Sequence, residues 1–169
     1  MPFDANLILI GMPGVGKSTI GRLAARYAGL GFVDTDQLLE AREGRCLQQI
    51  VDQEGYLGMR VAEERLILSL DCDSQVIATG GSVVYSDAAM AHLQTLGRII
   101  FLHLPLETLL PRLTDLDSRG LVRRQGQSLA DLYTERLPLY RRYANITLDC
   151  QGLTPAQAAR QVVHLGLAH

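Results

Sequence analysis

Nine consecutive residues, Gly11-Met12-Pro13-Gly14-Val15-Gly16-Lys17-Ser18-Thr19, bring together three glycines, one ammonium and two hydroxyls. They fit G-x-x-x-x-G-K-[ST], the phosphate-cradling P-loop, with an apolar run before them and a helical pattern after, the context the motif requires. Lacking Cβ, Gly11, Gly14 and Gly16 let the backbone curl close to a phosphate. Successive N–H groups then point inward as an anion nest, above the positive end of a helix. Lys17 is placed to meet the β- and γ-phosphates and Ser18 to ligate Mg²⁺. Val15 and Thr19 join the loop as ATP-binding residues. Of the 16 Lys+Arg, Lys17 is the only lysine, so no other ammonium can take its place. The chain is expected to bind a nucleoside triphosphate.

A second feature narrows what is done with it. Asp34 and Asp36 follow the short run GFVD, two residues apart, at the place where doubly wound sheets bind ligands. One carboxylate can hold Mg²⁺ through water while the other orients, or takes a proton from, a substrate hydroxyl; helix capping is the plainer use of the pair. A guanine-reading NKxD motif is ruled out, because the only lysine is already committed. No central apolar strand ends in an acid, as motor and AAA-type ATPases require, since VIAT runs into Gly80-Gly81.

These residues need a frame. The apolar runs 6–10, 31–34, 76–79, 98–104 and 145–149 read as strands buried on both faces, with little alternation. Helical patterns occupy 17–28, 35–41, 47–70 (broken near Gly55), 86–96, 106–113, 128–143 and 155–165. Thr35, Ser86 and Thr154 stand as N-caps, the last before Pro155. Such alternation predicts an open α/β sheet with helices on both faces. With 169 residues, 47% apolar and a formal charge of −2, the chain suits a single domain over 1–169. Near-neutral charge argues against a nucleic-acid partner, and no apolar run is long enough for a membrane. The beginning MPFDANLILIG lacks a basic region, so a cytoplasmic chain is expected, working as a monomer. Cys46, Cys72 and Cys150 and four dispersed histidines form no metal-ligand spacing. Tyr56, Met59 and Tyr85 either line an acceptor pocket or pack in the core, the core being the plainer reading.

One stretch breaks the rhythm. Residues 114–127, TDLDSRGLVRRQGQ, have weak periodicity and lie between two helices, as a lid does. From Arg112 to Arg142 seven arginines face four acids, a balance suited to an anionic ligand.

In order along the chain, the P-loop, DTDxxxE from Asp34 to Glu40, GxxxMR ending at Arg60, ATGG at 78–81, the arginine-bearing lid and ERLPLYRRYA at 135–144 resemble the shikimate kinases. The resemblance covers nearly the whole chain. It implies a three-layer P-loop fold of the nucleoside-monophosphate-kinase type, a five-stranded parallel sheet in the order 2-3-1-4-5, and ATP-dependent phosphorylation of shikimate at its 3-hydroxyl. It also implies residue roles. Asp36 would bind acceptor hydroxyls and act as base, and Asp34 would hold Mg²⁺ with Ser18. Arg60 and Arg136 would clamp the acceptor carboxylate, a task for planar bidentate donors. Gly80 and Gly81 would let backbone N–H approach the substrate, beside Ser82. Arg119 would close over the transferring phosphoryl group, and Arg112 would lie against the adenine with Pro155 on its far side. Two positions depart from the family pattern. Ser82 replaces a third glycine, which would cost about 1 kcal/mol if that site needed φ > 0, and its hydroxyl could enter the acceptor pocket. The lid reads Arg119-Gly120-Leu121-Val122 where a proline is usual, which raises the entropy lost on ordering. Homoserine or gluconate therefore stays open as acceptor, as does a nucleotide-binding module without transfer activity.

Overall fold

Strand pairing follows directly from the apolar runs. The computed structural model describes residues 5–116 and 121–168. Among these, β1 (Asn6–Ile10), β2 (Gly31–Asp34), β3 (Gln75–Ala78), β4 (Gly97–His103) and β5 (Ile146–Asp149) form an all-parallel sheet in the order β2-β3-β1-β4-β5, as expected. The helices are α1 (Lys17–Ala28), α2 (Thr35–Glu43), α3 (Leu47–Leu68), α4 (Asp87–Leu96), α5 (Leu106–Leu116), α6 (Leu129–Tyr143) and α7 (Pro155–Leu167). α3 carries the expected break at Gly55, whose φ of 71° lies in the left-handed region that favours glycine. Element ends differ from the expected ones by up to three residues. A 3₁₀ turn at Val83–Tyr85, closed by Tyr85 N–H to the Ser82 carbonyl and Ser86 N–H to the Val83 carbonyl, both at 3.1 Å, has no counterpart in the periodic pattern.

Every residue of β1 is buried. Leu7 faces α7, which approaches so closely that a Cβ on Gly166 would come within 2.7 Å of the Leu7 side chain. Alternation along the strand turns Ile8 and Ile10 to the opposite face. Register does the rest: Asp34 is level with Ala78, and Leu9 with both Ala78 and Ile100. The loops after β1, β2 and β3 therefore emerge together at one edge, the crevice that doubly wound sheets use for ligands.

One helix cap differs from expectation. Asp34, not Thr35, caps α2, its Oδ1 accepting from the N–H groups of Asp36 at 3.0 Å and Gln37 at 3.3 Å. Asp34 keeps the extended backbone of β2 (φ −108°, ψ 113°), which is what an N-cap needs. Thr35 is already helical, and its Oγ1 accepts instead from Gly80 N–H at 3.2 Å. Ser86 and Thr154 cap α4 and α7 as expected.

Asn6, wholly buried, locks the opposite edge. Its Nδ2 donates to the carbonyls of Cys72 at 2.6 Å and Leu96 at 2.9 Å, and its Oδ1 accepts from Gln75 N–H at 2.9 Å. The start of β1 is thereby fixed against the entries to β3 and β4. Asn6→Ala would leave these backbone groups unpaired in the interior, and is expected to lower unfolding free energy by roughly 2–4 kcal/mol. Urea denaturation with an unchanged slope checks this; a loss below about 1 kcal/mol would contradict it.

Candidate active site

Lys17 is the first residue of α1 and only 8% exposed. Its Nζ donates to the carbonyls of Gly11 at 2.7 Å and Met12 at 2.9 Å, folding the ammonium back onto its own loop. Next to it, Ser18 Oγ donates to Asp34 Oδ2 at 2.6 Å, linking the P-loop to the end of β2. Arg112 donates from Nη1 to the Gly14 carbonyl at 2.9 Å, tying α5 to the same loop. A cleft lined by Gly14, Gly16, Lys17, Ser18, Thr19, Asp34 and Asp36 lies over these groups. It shares Gly16 and Thr19 with a cavity of about 690 Å³ that also takes in Val15, Arg112, Cys150 and Pro155. Arg112 and Pro155, far apart in sequence, are brought together there.

On the other side the cleft shares Pro13, Lys17 and Asp36 with a pocket of about 570 Å³. Met59, Glu63, Gly80, Gly81, Ser82, Leu121, Val122 and Arg136 line it too. Arg136 is 1% exposed. Its Nη2 donates to the Val122 carbonyl and its Nε to Tyr85 Oη at 3.3 Å. Tyr140 Oη donates to the Gly81 carbonyl at 2.6 Å, fixing the loop after β3. Glycine is required at that loop by space: a Cβ on Gly81 would come within 2.8 Å of both Arg136 Nη1 and Pro13.

Several expected placements change. Gly80 N–H is taken by Thr35 Oγ1, so it does not stand free for a substrate. Ser82 has φ −93° and ψ −1°, ordinary right-handed backbone without strain, because it opens the 3₁₀ turn. Its hydroxyl donates to Glu63 Oε2. Arg60 lines an adjoining pocket and lies 3.5 Å over the Tyr85 ring, with Nε buried and unpartnered among the described residues. Tyr85 joins the two arginines, since Arg136 stands 5.4 Å from the same ring. Met59 belongs to the core and also lines the pocket. Arg119 and Gly120 of the lid lie outside the described residues. Sequence reasoning missed Glu63 and Tyr140 as site groups. Glu63 follows Met59 by four residues, a spacing that places both on one helix face and could have drawn attention to it.

Four charged groups share this small space. Burial pulls the Lys17 ammonium down to about 8, against the opposing pull of Asp36. Burial, then the nearby charge of Asp34, pushes the Asp36 carboxyl up to about 6. Glu63, 3% exposed, is pushed up to about 7 by burial and by Asp36. Ser18 and Asp34 supply hard oxygen donors suited to Mg²⁺, and no cluster of three or more His, Cys, Asp or Glu able to hold a metal occurs among the described residues. That donor set fits an ion that keeps water and phosphate as its other ligands.

A sequence model of the family described as shikimate kinase matches residues 13–165. A shikimate kinase of Pseudomonas aeruginosa is 37% identical over 161 residues, covering 94% of each chain. One from Thiobacillus denitrificans is 40% identical over 148 residues, 85% of this chain and 80% of that one. The solved structure of a shikimate kinase from Acinetobacter baumannii in complex with shikimate superposes with a TM-score of 0.89 at 30% identity, covering 97% of this chain and 93% of the other.

The raised carboxyls set a sign for stability. Above pH about 4 the unfolded chain releases these protons while the folded chain retains them, so ligand-free stability falls as pH rises through about 6 for Asp36 and about 7 for Glu63. Asp36→Asn is expected to raise unfolding free energy at pH 7.5 by on the order of 1 kcal/mol and to leave it nearly unchanged at pH 4. Urea unfolding at both pH values decides; equal effects at both would refute the assignment.

Proposed function

The chain belongs to the shikimate kinase family, phosphotransferases acting on a hydroxyl group, and from that premise we propose that it transfers the γ-phosphoryl group of ATP to the 3-hydroxyl of shikimate. One observation carries the reading. Three cavities meet wall to wall in the order base, phosphates, acceptor, and Lys17 and Asp36 line the junction of the last two. A kinase needs that continuity, because the transferred group must touch both substrates at once.

The chemistry then follows from the side chains. Arg136 holds the carboxylate of shikimate from the closed end of the acceptor pocket. Asp36, ionised above pH about 6, orients the acceptor hydroxyl and takes its proton as that oxygen bonds to the γ-phosphorus. The bond to the β,γ-bridging oxygen breaks, and ADP leaves. Lys17 exchanges its two carbonyl partners for phosphate oxygens and neutralises charge developing on them. Arg112 and Pro155 flank the adenine. Ser18 and Asp34 would hold Mg²⁺, which when bound supplies further charge neutralisation between the phosphates. Arg60 is the second arm of the carboxylate clamp, drawn from its stack on Tyr85, and Gly81 and Ser82 border the bound acid. Arg119, in a lid over roughly 114–127, closes on the phosphoryl group and excludes water. The whole of 1–169 acts as one domain and as a monomer. No described helix is long and apolar enough to cross a membrane. A cytoplasmic location without nucleic-acid or membrane partners accords with the small-molecule site.

Lys17→Ala is expected to cut kcat by at least about 10³-fold with the fold retained, read by coupled ADP release; near-normal turnover would remove the assignment. Arg136→Ala should raise the shikimate KM by two orders of magnitude or more while the ATP KM holds; a change confined to ATP would contradict its role. Shikimate, homoserine and gluconate compared as acceptors test the substrate. Shikimate must win by orders of magnitude in kcat/KM for the proposal to stand.

A further inference from the structure

The steps above give Glu135 no part, yet with Tyr85 it holds the guanidinium of Arg136. In a 3₁₀ turn residues three apart eclipse, so Tyr85 and Ser82 face the same way, and both line the cavity beside Arg60. Glu135 and Arg136 are neighbours on α6, where side chains one residue apart diverge by about 100°. They form no ion pair with each other among the described residues. Tyr85 Oη fills the gap, donating to Glu135 Oε1 at 2.7 Å and accepting from Arg136 Nε at 3.3 Å. Glu135 is itself held, since its Oε2 accepts from Gln127 Nε2 at 2.9 Å and from Arg124 Nη2. A line of side chains thus runs from the exposed Arg124 through Glu135 and Tyr85 to the buried Arg136.

The protonation states suit that line. Burial holds the Tyr85 phenol above its ordinary value, so it keeps the proton it donates. Burial works to raise the Glu135 carboxyl too, but hydrogen bonds from Tyr85 and Arg124 outweigh it and hold the group below the usual carboxylate range. An ionised acceptor polarises the phenol, and its oxygen becomes the better acceptor for Arg136. What this fixes is an angle. Nε of Arg136 is spent on Tyr85 and Nη2 on the Val122 carbonyl. Nη1 lies beside Gly81 in the acceptor pocket, where a glycine Cβ would stand 2.8 Å from it. A planar group that offers a single nitrogen must be held in orientation by its other two.

We propose that Tyr85 is a positioning residue for the carboxylate clamp: held by Glu135, its phenol sets the plane of the Arg136 guanidinium so that Nη1 meets the carboxylate of the acceptor. The inference rests on the acceptor reading above and adds two residues that act through Arg136.

Tyr85→Phe keeps the ring beneath Arg60 and removes both hydrogen bonds. It should raise the shikimate KM about tenfold, the worth of one hydrogen bond to a charged group. Both kcat and the ATP KM should stay within about twofold of wild type. Glu135→Ala should do the same, and the two together no more than either alone. In an Arg136→Ala background, Tyr85→Phe should cost no further kcat/KM for shikimate, because the group it positions is gone. A residue that only supports the fold would lose activity in both backgrounds. A further loss above about threefold in that background, an unchanged shikimate KM for Tyr85→Phe alone, or an equal rise in the ATP KM overturns the inference. If Arg136→Ala melts too low for kinetics, the nitrogen-15 resonance of Arg136 Nε, assigned by through-bond correlation, decides instead. It should move in Glu135→Gln, where the changed group lies one hydrogen bond beyond Tyr85; a resonance that stays in place overturns the inference. A wild type inactive on shikimate removes the acceptor reading and this inference together, whereas a wild type active on shikimate with no dependence on Tyr85 removes this inference alone.

Discussion

An ammonium buried at the start of a helix must be compensated or it loses its proton, and Lys17 is compensated twice. The carbonyls of Gly11 and Met12 take two of its hydrogens, while Asp36, Asp34 and Glu63 supply opposite charge from neighbouring elements. Those carboxyls are in turn tolerable only because the cation is there: Lys17 works against the burial that raises Asp36 and Glu63. Loop, α2 and α3 therefore meet around one charge. Remove it and the carboxyls repel one another across the pocket, so the group that would grip phosphate also holds the site's own electrostatics together.

Such a cluster requires backbone placement to within a fraction of an ångström, and the sheet supplies it. Parallel register brings the ends of β1, β2 and β3 level, so the P-loop, Asp34 and Gly80 leave from one edge. Asn6 fixes the far end of β1 by side-chain bonds to three different backbone positions. Tyr140 and Thr35 then pin the loop after β3 from opposite sides, through the Gly81 carbonyl and the Gly80 N–H. A rigid frame fixed at both ends makes it possible for short side chains such as Ser18 and Ser82 to reach their partners.

What was legible in the sequence divides along physical lines. Local order was readable: α1 has the bounds its periodicity predicts, and β1 and β2 match their apolar runs, although only the central β1 is buried on both faces and the edge strand β2 is half-exposed, against the expectation for it. Sheet order and residue roles came with the resemblance, since neither strand order nor a clamp between distant arginines leaves a local trace. The site's tertiary detail was not readable. Nothing in ATGGS shows that Thr35 would claim Gly80 N–H, that Ser82 would sit unstrained in a 3₁₀ turn, or that Glu63 would be its partner. The first and the last depend on contacts 45 and 19 residues apart. The misplaced cap has the same origin: Asp34 and Thr35 are both good caps in isolation, and only the end of β2 decides between them.

The balance of charge in the acceptor pocket explains why its substrates have the chemistry they do. Two buried cations, Lys17 and Arg136, face the buried carboxyl of Glu63 and the half-buried one of Asp36, and no direct ion pair of Arg136 with a carboxylate occurs among the described residues; its guanidinium rests on the Val122 carbonyl and the Tyr85 hydroxyl. Neutral partners leave Arg136 with charge to spare. A carboxylate on the acceptor would satisfy that excess, and phosphate oxygens would replace the carbonyls on Lys17. What is then left for the acceptor to satisfy are carboxyl oxygens on the floor of the pocket, and these can be satisfied only by hydrogen-bond donors. A hydroxyl acid meets both demands in one molecule, whereas a dicarboxylate would set anion against anion and a simple alcohol would leave the guanidinium unmatched. Specificity here is the completion of an unfinished hydrogen-bond network, and that completion is also what makes the bound geometry more stable than the free site.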